Sequence, residues 1–409
     1  MNLLNLLQPS SRLLRRALPV LASLALTACN THDGTSPSPP TAGCQLPAPA
    51  TPHPKAAQYQ ALLDSYVQKG LPGVVLLVKT PKDGVWVGAA GKANLETGKP
   101  MTACSLHYPQ SIAKTFTATA MMMLVEEGKV NLDATLSSYL PQEVISRITN
   151  GDKVTVRQLL QHTSGLYNYT RNEAYQADVL ANLNNPNRAY TTEEYLNYFA
   201  YKPAYFEPGT SFRYADSNYV LAALIIDRIT GKSHAKMFTE RIFRPLGLRD
   251  IYYKQEPAYP MPRDLVASYI DDPGTSVRVN VSDAQSRSVR SFIGDDGLIS
   301  SAYDLAQFVE ALAKGRLVKT ASLRQMTQWI TTNAPGVHYG LGLYKFDTPD
   351  GIAFGHDGDG LGAGAQMFHF PDSGVTYVAF TNIGTFLPGP ADKLFQEDLP
   401  ADVRKIAFE

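Results

Sequence analysis

The sequence lacks an excess of charge of either sign. It contains 37 basic (Lys and Arg) and 37 acidic (Asp and Glu) residues in a chain of 409, so its formal net charge is zero at pH 7. Such a chain has no global electrostatic field that attracts nucleic acid or an anionic membrane surface. We therefore expect no nucleic-acid partner, and binding sites have to be sought in local motifs. The hydrophobic fraction of 44% is that of a globular protein with a large core.

Near its N-terminus the sequence lacks an apolar run long enough to form a stable membrane span. The apolar run at 17–26 follows three arginines and precedes small residues, which is the layout of an export signal. The "LTAC" that ends at Cys29 resembles the bacterial lipoprotein box, which implies cleavage before Cys29 and lipid attachment to its thiol. The alternative is a plain signal peptide with an incidental cysteine.

These features divide the chain into three parts. We predict a lipoprotein signal peptide at 1–28, a tether rich in Pro, Ser and Thr at 29–57, and a folded domain at 58–400. The tether has too few apolar residues to build a core and should be extended. The prediction is an exported cell-envelope lipoprotein that faces the periplasm or the cell exterior and contacts the membrane only through its lipid. The sequence does not indicate an oligomeric state.

Cysteine is scarce, with three residues in the whole chain. If Cys29 carries the lipid, Cys44 and Cys104 remain, and export would bring them into a compartment that permits disulfides. They could pair and fasten the tether to the domain. Two free thiols are the alternative, because no geometry is visible in a sequence.

Strand patterns lie at both ends of the folded part. "GVVLLVKT" and "GVWVGAAGKAN", separated by "PKDG", predict an antiparallel hairpin, and "YGLGLYKFD", "IAFGHDG", "GAQMFHF" and "VTYVAFTN" predict strands near the C-terminus. "KAAQYQALLDSYVQKG" predicts a first helix, and a mostly helical subdomain is expected at about 117–290. We expect an α+β domain in which N- and C-terminal strands share one antiparallel sheet flanked by helices.

Ser111 and Lys114 stand three residues apart at the start of a long apolar segment, "PQSIAKTFTATAMMMLVEEG". Residues spaced in this way share one face of a helix, so the lysine can lie beside the hydroxyl. A serine hydroxyl needs a base within hydrogen-bond reach to attack a carbonyl, and a desolvated lysine can serve. The N-terminus of a helix would also favour the anion formed on attack. The pair indicates a candidate site for acyl transfer.

This spacing is weak evidence by itself. About one chance Ser-x-x-Lys is expected in a chain of this size, and "SHAK" at 233–236 has the same spacing. Later motifs favour the first pair, because "YAD" at 214–216 and "HDG" at 356–358 follow it in order. Together with "VRQLLQHTSGLYNYT", "RIFRPLGL" and "GLISSAYDLAQF", they make the chain resemble the serine β-lactamase and penicillin-binding protein superfamily over roughly 58–385. The similarity is to its class C β-lactamase-like serine hydrolases, and closest to the D-alanyl-D-alanine carboxypeptidases.

The resemblance implies a β-lactamase/transpeptidase-like fold and an acyl-enzyme mechanism. Ser111 would be the acylated nucleophile, Lys114 would take or relay its proton, and Tyr214 would act as the base for acylation. Backbone N–H groups of Ser111 and Asp359 would form the oxyanion hole. The substrate-binding and oxyanion positions implied by the resemblance are Asp216, His356, Asp357, Gly358 and Asp359. No cofactor is needed.

A metal site is the other interpretation of the acidic residues beside His356. The sequence has no His-Glu-x-x-His and no second histidine at ligand spacing, so we expect no metal.

Two positions depart from the commoner pattern of the family, and both add negative charge. Asp216 stands where relatives have asparagine; it can pair with Lys114 but cannot donate an amide hydrogen bond to substrate. Asp357 stands where many relatives have a hydroxyl residue that binds a substrate carboxylate. No arginine follows "YGLGL", and Lys345 is the nearest substitute. The hypothesis is a pocket that disfavours carboxylates and favours an ammonium, unless Asp357 points away as a turn former.

The leading functional hypothesis is a serine hydrolase that resembles the D-alanyl-D-alanine carboxypeptidases and acts on D-amino-acid peptides of the peptidoglycan type. An esterase or D-aminopeptidase of the same family is next, followed by a β-lactamase. A non-catalytic binding protein is the alternative of another class, since a fold does not fix a function. In each enzymatic case the partner is a small peptide, ester or amide.

Overall fold

The computed structural model describes residues 46, 52–182, 185, 187–253, 264–271, 277–385 and 389–409. The predicted signal peptide and most of the tether, with Cys29 and Cys44, lie outside these residues. Cys104 is disulfide-bonded. Its pairing with Cys44 stays a prediction. None of the described helices is long and apolar enough to cross a membrane.

The described strands form one large sheet and two small ones. The large sheet has eight strands in the order β2-β1-β12-β11-β10-β9-β8-β7, and each neighbouring pair is antiparallel. The small sheets pair β3 with β6 and β4 with β5. The strands are β1 (Gly73–Thr80), β2 (Gly84–Gly91), β3 (Ile251–Tyr253), β4 (Tyr269–Asp271), β5 (Arg278–Asn280), β6 (Leu298–Ser300), β7 (Ile330–Thr331), β8 (Val337–Tyr339), β9 (Tyr344–Thr348), β10 (Gly351–Asp359), β11 (Gly364–Phe370) and β12 (Val375–Thr381).

Helices cover both faces of the large sheet. They are α1 (Ala56–Gln68), α2 (Ala113–Glu126), α3 (Gln142–Ile145), α4 (Val156–Leu160), α5 (Glu173–Ala181), α6 (Thr192–Phe199), α7 (Ser217–Thr230), α8 (His234–Phe238), α9 (Arg244–Leu246), α10 (Ser282–Ser291), α11 (Ala302–Ala313), α12 (Thr320–Met326), α13 (Pro390–Asp392) and α14 (Leu399–Phe408). A 3-10 turn, Gln110–Ile112, leads directly into α2.

The expected hairpin and terminal strands are confirmed, and β1 shows why they assemble. Its sequence is apolar throughout, which suits a strand buried on both faces. Val75 and Leu77 belong to the larger core, which includes α2, α7 and α11. Val74, Leu76 and Val78 point the other way, into a second core with α1 and α14. The domain is therefore α+β in three layers, with the sheet between two groups of helices.

Helix α2 lies in the middle of the larger core. Twelve of its 14 residues are buried, from Ala113 to Leu124. Phe116 stacks on Phe308 of α11 at a centroid distance of 3.6 Å, and Thr115 donates a hydrogen bond to the carbonyl of Gly342. A helix packed on most sides cannot shift without disturbing several neighbours. The turn that carries Ser111 is thereby attached to a rigid support.

The structure also differs from the sequence-based expectation in two places. Short strands, β3, β4 and β5, interrupt the stretch expected to be mostly helical. The C-terminal helix α14 was not predicted, and it packs against α1 on the outer face of the sheet. Leu399, Val403 and Ile406 have helical spacing, but the helix has only ten residues, too few to be stable alone, so it depends on this packing.

Candidate active site

Ser111 lies in the 3-10 turn Gln110–Ile112, two residues before the first residue of α2. The preceding residue, Gln110, has a φ of 55°, in the left-handed region. Strand β10 passes directly over this turn at Gly358. A Cβ placed on Gly358 would lie 2.2 Å from the carbonyl oxygen of Pro109, so only glycine permits this approach. The nucleophile predicted from the sequence therefore lies between α2 and the exposed end of β10.

Lys114 is fully buried and touches the Ser111 hydroxyl. Its Nζ is 2.9 Å from Ser111 Oγ, 2.9 Å from the backbone carbonyl of Asp295 and 2.8 Å from Asp216 Oδ1. Three acceptors match the three N–H groups of an ammonium. Because Lys114 donates in all three contacts, the resting arrangement holds a proton that has to leave before the site can deprotonate serine.

Tyr214 is the third member of the cluster, as the sequence motif implies. Lys114 Nζ lies 5.0 Å from the centroid of its ring. Burial, and then the negative charge of Asp216, raise the pKa of Tyr214 well above its usual value, while the neighbouring Ser111 hydroxyl opposes the shift. The resting side chain is therefore a neutral phenol within reach of the nucleophile.

Asp216 pairs with Lys114 as expected, and other residues hold it in place. Its Oδ2 accepts hydrogen bonds from Asn168 Nδ2 at 3.1 Å and Thr170 Oγ1 at 3.2 Å. Burial raises the pKa of Asp216, but the Lys114 ammonium and these hydrogen bonds outweigh it, so the pKa is lowered. The carboxylate stays ionised and neutralises the charge of Lys114.

The loop at 294–297 completes the lysine site, and sequence reasoning missed it. The Asp295 carbonyl that accepts from Lys114 is held by its neighbour Gly294, whose N–H donates to Tyr253 Oη and whose carbonyl accepts from Thr117 Oγ1 at 2.6 Å. Gly294 has a φ of 75°, and a Cβ there would clash with α7. The "GDDG" stretch marks an unusual turn, but nothing in the sequence indicates that a backbone oxygen reaches Lys114.

Both acidic side chains of this loop are buried. Burial raises the pKa of Asp296 to about 8 and, against the attraction of Lys114, that of Asp295 to about 6. Asp295 Oδ2 accepts a hydrogen bond from Tyr169 Oη at 2.6 Å, and Asp296 Oδ1 accepts one from the Gly297 N–H. Near neutral pH Asp296 is therefore mostly protonated, whereas Asp295 is mostly ionised and adds a negative charge behind the lysine.

His356 is completely buried in an aromatic wall beside Tyr214. Burial lowers its pKa to about 3, so the ring is neutral. Its Nδ1 lies 2.7 Å from the carbonyl oxygen of Asp357 and must carry the proton, which leaves Nε2 to accept from Tyr339 Oη at 3.0 Å. Both ring nitrogens are thus occupied, and the imidazole supplies no positive charge for a substrate carboxylate.

Asp357 and Asp359 differ in their surroundings. The Asp357 side chain is 33% exposed. Partial burial, and then repulsion from Asp359, raise its pKa to about 7, and its charge in turn raises the pKa of Tyr214 and of Tyr344. Asp359 Oδ1 instead accepts hydrogen bonds from Thr385 and Gln396. Of these two acids, Asp357 is therefore the one whose charge affects the pKa of Tyr214. The role of the Asp359 N–H in an oxyanion hole stays a prediction.

Lys345 does not take the place of the missing arginine. Its Nζ pairs with Asp347 Oδ1 at 3.0 Å. The preceding residue, Tyr344, stacks parallel to Tyr214, and successive strand residues point to opposite faces. Lys345 therefore lies on the face of β9 away from the base.

The second Ser-x-x-Lys, "SHAK", has no such surroundings. Ser233 is the N-cap of α8, and its hydroxyl accepts the backbone N–H of Lys236. Lys236 is half exposed and lies near Glu240. The structure therefore distinguishes the two motifs that the sequence gives the same spacing, and only Ser111 has a buried lysine beside it.

Comparisons with known proteins agree with this geometry. The family model described as Beta-lactamase matches residues 56–399. Penicillin-binding protein 4 of Amycolatopsis lactamdurans is 28% identical over 346 residues, which are 80% of this chain and 85% of that protein. Esterase EstB of Burkholderia gladioli is 32% identical over 200 residues, 48% of this chain and 50% of the esterase.

Among solved structures, a D-stereospecific amidohydrolase from Streptomyces sp. superposes with a TM-score of 0.74 at 30% identity, covering 84% of this chain and 98% of that one. The shared architecture is the β-lactamase/transpeptidase-like fold that the motifs imply. Since the family model spans both cores and the cluster around Ser111, the chain belongs to the Beta-lactamase family, within the superfamily of serine β-lactamases and penicillin-binding proteins, and is a serine hydrolase.

Proposed function

We propose that this protein cleaves amide and ester bonds of D-amino-acid derivatives through an acyl-enzyme on Ser111. Its preferred substrates carry a free ammonium group and no carboxylate beside the reacting bond. The observation that carries the proposal is the charge of the site, in which Asp357 adds an acid beside the base while the lysine is already neutralised by Asp216. A D-aminopeptidase or D-amino-acid amidase fits this charge better than a carboxypeptidase.

The proposed reaction uses the contacts around the nucleophile. Once the Lys114–Tyr214 pair has lost one proton, Ser111 Oγ attacks the substrate carbonyl and its proton passes to Tyr214. The oxyanion is stabilised by the backbone N–H groups of Ser111 and Asp359. Tyr214 then protonates the leaving amine or alcohol, and the C–N or C–O bond breaks to give the acyl-enzyme. Water attacks the ester by the reverse sequence, which releases the acid and restores the hydroxyl.

Charge decides between the candidate substrates. Lys345 was the candidate cation for binding a substrate carboxylate, but it pairs with Asp347, and the charge of Lys114 is neutralised by Asp216. Unit charges about 4 Å apart interact by about 4 kcal/mol at an effective dielectric constant near 20. Because the Asp357 side chain is one-third exposed, water screens part of this, and we expect about 1–2 kcal/mol, or roughly a tenfold preference, in favour of an ammonium.

Similarity supports the stereochemical part of the proposal. The structural relative from Streptomyces sp. is described as a D-stereospecific amidohydrolase and covers most of this chain. Similarity to penicillin-binding protein 4 of Amycolatopsis lactamdurans supports a cell-envelope location, and we propose that Cys29 carries the lipid that anchors the protein there.

A carboxypeptidase is the second candidate function, because penicillin-binding protein 4 is also similar to this chain.

The test compares three small substrates at pH 7.5 on the parent, Ser111→Ala and Asp357→Thr proteins. They are D-alaninamide, L-alaninamide and N-acetyl-D-alanyl-D-alanine. We expect D-alaninamide to have the highest kcat/KM, Ser111→Ala to abolish its turnover, and Asp357→Thr to lower kcat/KM for D-alaninamide about tenfold while raising it for the acetylated dipeptide. A preference of the parent for the acetylated dipeptide would instead identify a carboxypeptidase.

A further inference from the structure

His162 holds the backbone on both sides of Tyr214. The Arg213 N–H donates to the His162 carbonyl oxygen at 3.0 Å, and the Ala215 N–H donates to His162 Nδ1 at 3.2 Å. The ring itself packs on Tyr214 at a centroid distance of 4.2 Å. One buried residue therefore fixes the residue before the tyrosine, the residue after it and one face of its ring.

The hydrogen-bond pattern fixes the tautomer of this histidine. Nδ1 accepts the Ala215 N–H and lies 2.9 Å from Asn218 Nδ2. The oxygen of Asn218 is occupied by Ser164 Oγ, so its NH₂ group faces the imidazole. Two donors directed at Nδ1 require its lone pair, which places the ring proton on Nε2. Burial, with Lys114 and His356 nearby, lowers the pKa of His162 well below its usual value, so Nδ1 stays an acceptor.

The backbone of His162 is unfavourable for most residues. Its φ is 58°, in the left-handed region where side chains with a Cβ are uncommon. The residue follows α4, and its own N–H closes the turn onto the carbonyl of Leu159. Asparagine and histidine are among the residues with a Cβ that adopt this conformation most often, so an asparagine can replace His162 without added backbone strain.

We propose that His162 is a positioning residue that holds Tyr214 in register with Ser111 by accepting the N–H of Ala215 at Nδ1. This inference rests on the proposed role of Tyr214 as the base. Tyr214 precedes α7, whose first residues are buried. Without the Nδ1 contact, residues 213–215 lose one of their two hydrogen bonds to His162, and the phenol is free to move away from the nucleophile. A displacement of about 1 Å can reduce a rate about 100-fold.

Two variants separate this role from simple filling of space. In His162→Asn the amide oxygen takes the position of Nδ1, so the acceptor is kept, and asparagine tolerates the positive φ. In His162→Gln the oxygen lies one bond farther out, so the acceptor is displaced while the side chain is larger. His162→Gly removes the acceptor altogether, and glycine adopts this φ without strain.

The readouts are kcat and KM for D-alaninamide, the rate of labelling by a fluorophosphonate, and Tm. We expect His162→Asn to stay within about threefold of the parent, and His162→Gln and His162→Gly to lose about 10- to 100-fold in kcat and in labelling rate, with KM changed less than threefold. In a Tyr214→Phe background the loss caused by His162→Gln should vanish, since the two residues act as one unit. His369→Asn, at another buried histidine that binds Thr376, is the control and should leave all rates unchanged.

Several outcomes would overturn the inference. Parent-like labelling by folded His162→Gln or His162→Gly would show that the acceptor is not needed, and an equal loss in His162→Asn would show that Nδ1 is not the group that matters. A full additional loss in the Tyr214→Phe background would assign His162 a role apart from the base. If the parent itself fails to label, the proposed function fails, and that result is distinct from each of these.

Discussion

Replacing Asp216 by asparagine tests how the site controls its proton. The carboxylate accepts from Lys114 Nζ at 2.8 Å, and after burial it is the strongest influence that raises the pKa of Tyr214. The resting cluster holds one proton too many for acylation, because lysine is an ammonium and tyrosine a phenol. Removing the negative charge makes that proton easier to lose. In Asp216→Asn the rise of kcat/KM with pH should therefore occur at lower pH.

The size of the shift follows from the geometry. Unit charges about 4 Å apart at an effective dielectric constant near 20 attract by about 4 kcal/mol, which corresponds to about 3 pKa units. The Asp216 side chain is 15% exposed, and asparagine still accepts a hydrogen bond, so part of the stabilisation of the proton remains. We expect the acid limb of kcat/KM to move down by about 1–2 pH units.

The assay is the pH profile of kcat/KM for the neutral ester p-nitrophenyl acetate, whose own charge does not change over pH 5–9. Asp347→Asn is the control, since Asp347 pairs with Lys345 at a distance from the base. Tm is measured at each pH to exclude unfolding. An acid limb that stays in place or moves to higher pH in folded Asp216→Asn would refute the electrostatic account of the cluster.

Three further changes have defined outcomes. Tyr214→Phe should lower kcat by about 10²–10⁴ without lowering Tm, as measured by ester hydrolysis and thermal unfolding, because it removes only the proton-transfer group. Gly358→Ala should reduce fluorophosphonate labelling about 100-fold, since its Cβ would push β10 away from Pro109; parent-like labelling would show that the approach is not tight. Asp296→Asn should raise Tm more at pH 8 than at pH 5, because a carboxyl whose pKa is raised to about 8 costs stability as pH rises above its unfolded value; an equal effect at both pH values would contradict this.

The main features of the fold could be predicted because local patterns and burial agree. The apolar run of β1 and the turn after it specify a hairpin, and the apolar length of α2 specifies a central helix. Helix α14 could not be predicted in this way, since its amphipathic pattern is short and its stability comes from contact with α1. Hydrophobic periodicity therefore predicts individual helices and strands well, but it does not predict which distant helices pack together.

The same limit applies to the site. Ser111 and Lys114 are three residues apart, so helix geometry alone brings them together. Tyr214 and Asp216 were found through the resemblance of their motif to a family. The carbonyl of Asp295 could not be found, because any residue supplies a backbone oxygen and only the long-range fold brings this one to Lys114. Lys345 and Asp347 share a face of β9 by simple alternation, but which face of that strand looks towards Tyr214 depends on the long-range fold.

The central claim is that Ser111 forms an acyl-enzyme with D-amino-acyl groups. The most direct measurement is the intact mass of the acid-quenched protein after mixing with the p-nitrophenyl ester of D-phenylalanine, beside its L-enantiomer and the Ser111→Ala variant. The account predicts one D-phenylalanyl group on the parent, little with the L-ester, and none on Ser111→Ala. The same adduct on Ser111→Ala, or equal adducts from both enantiomers, would contradict it.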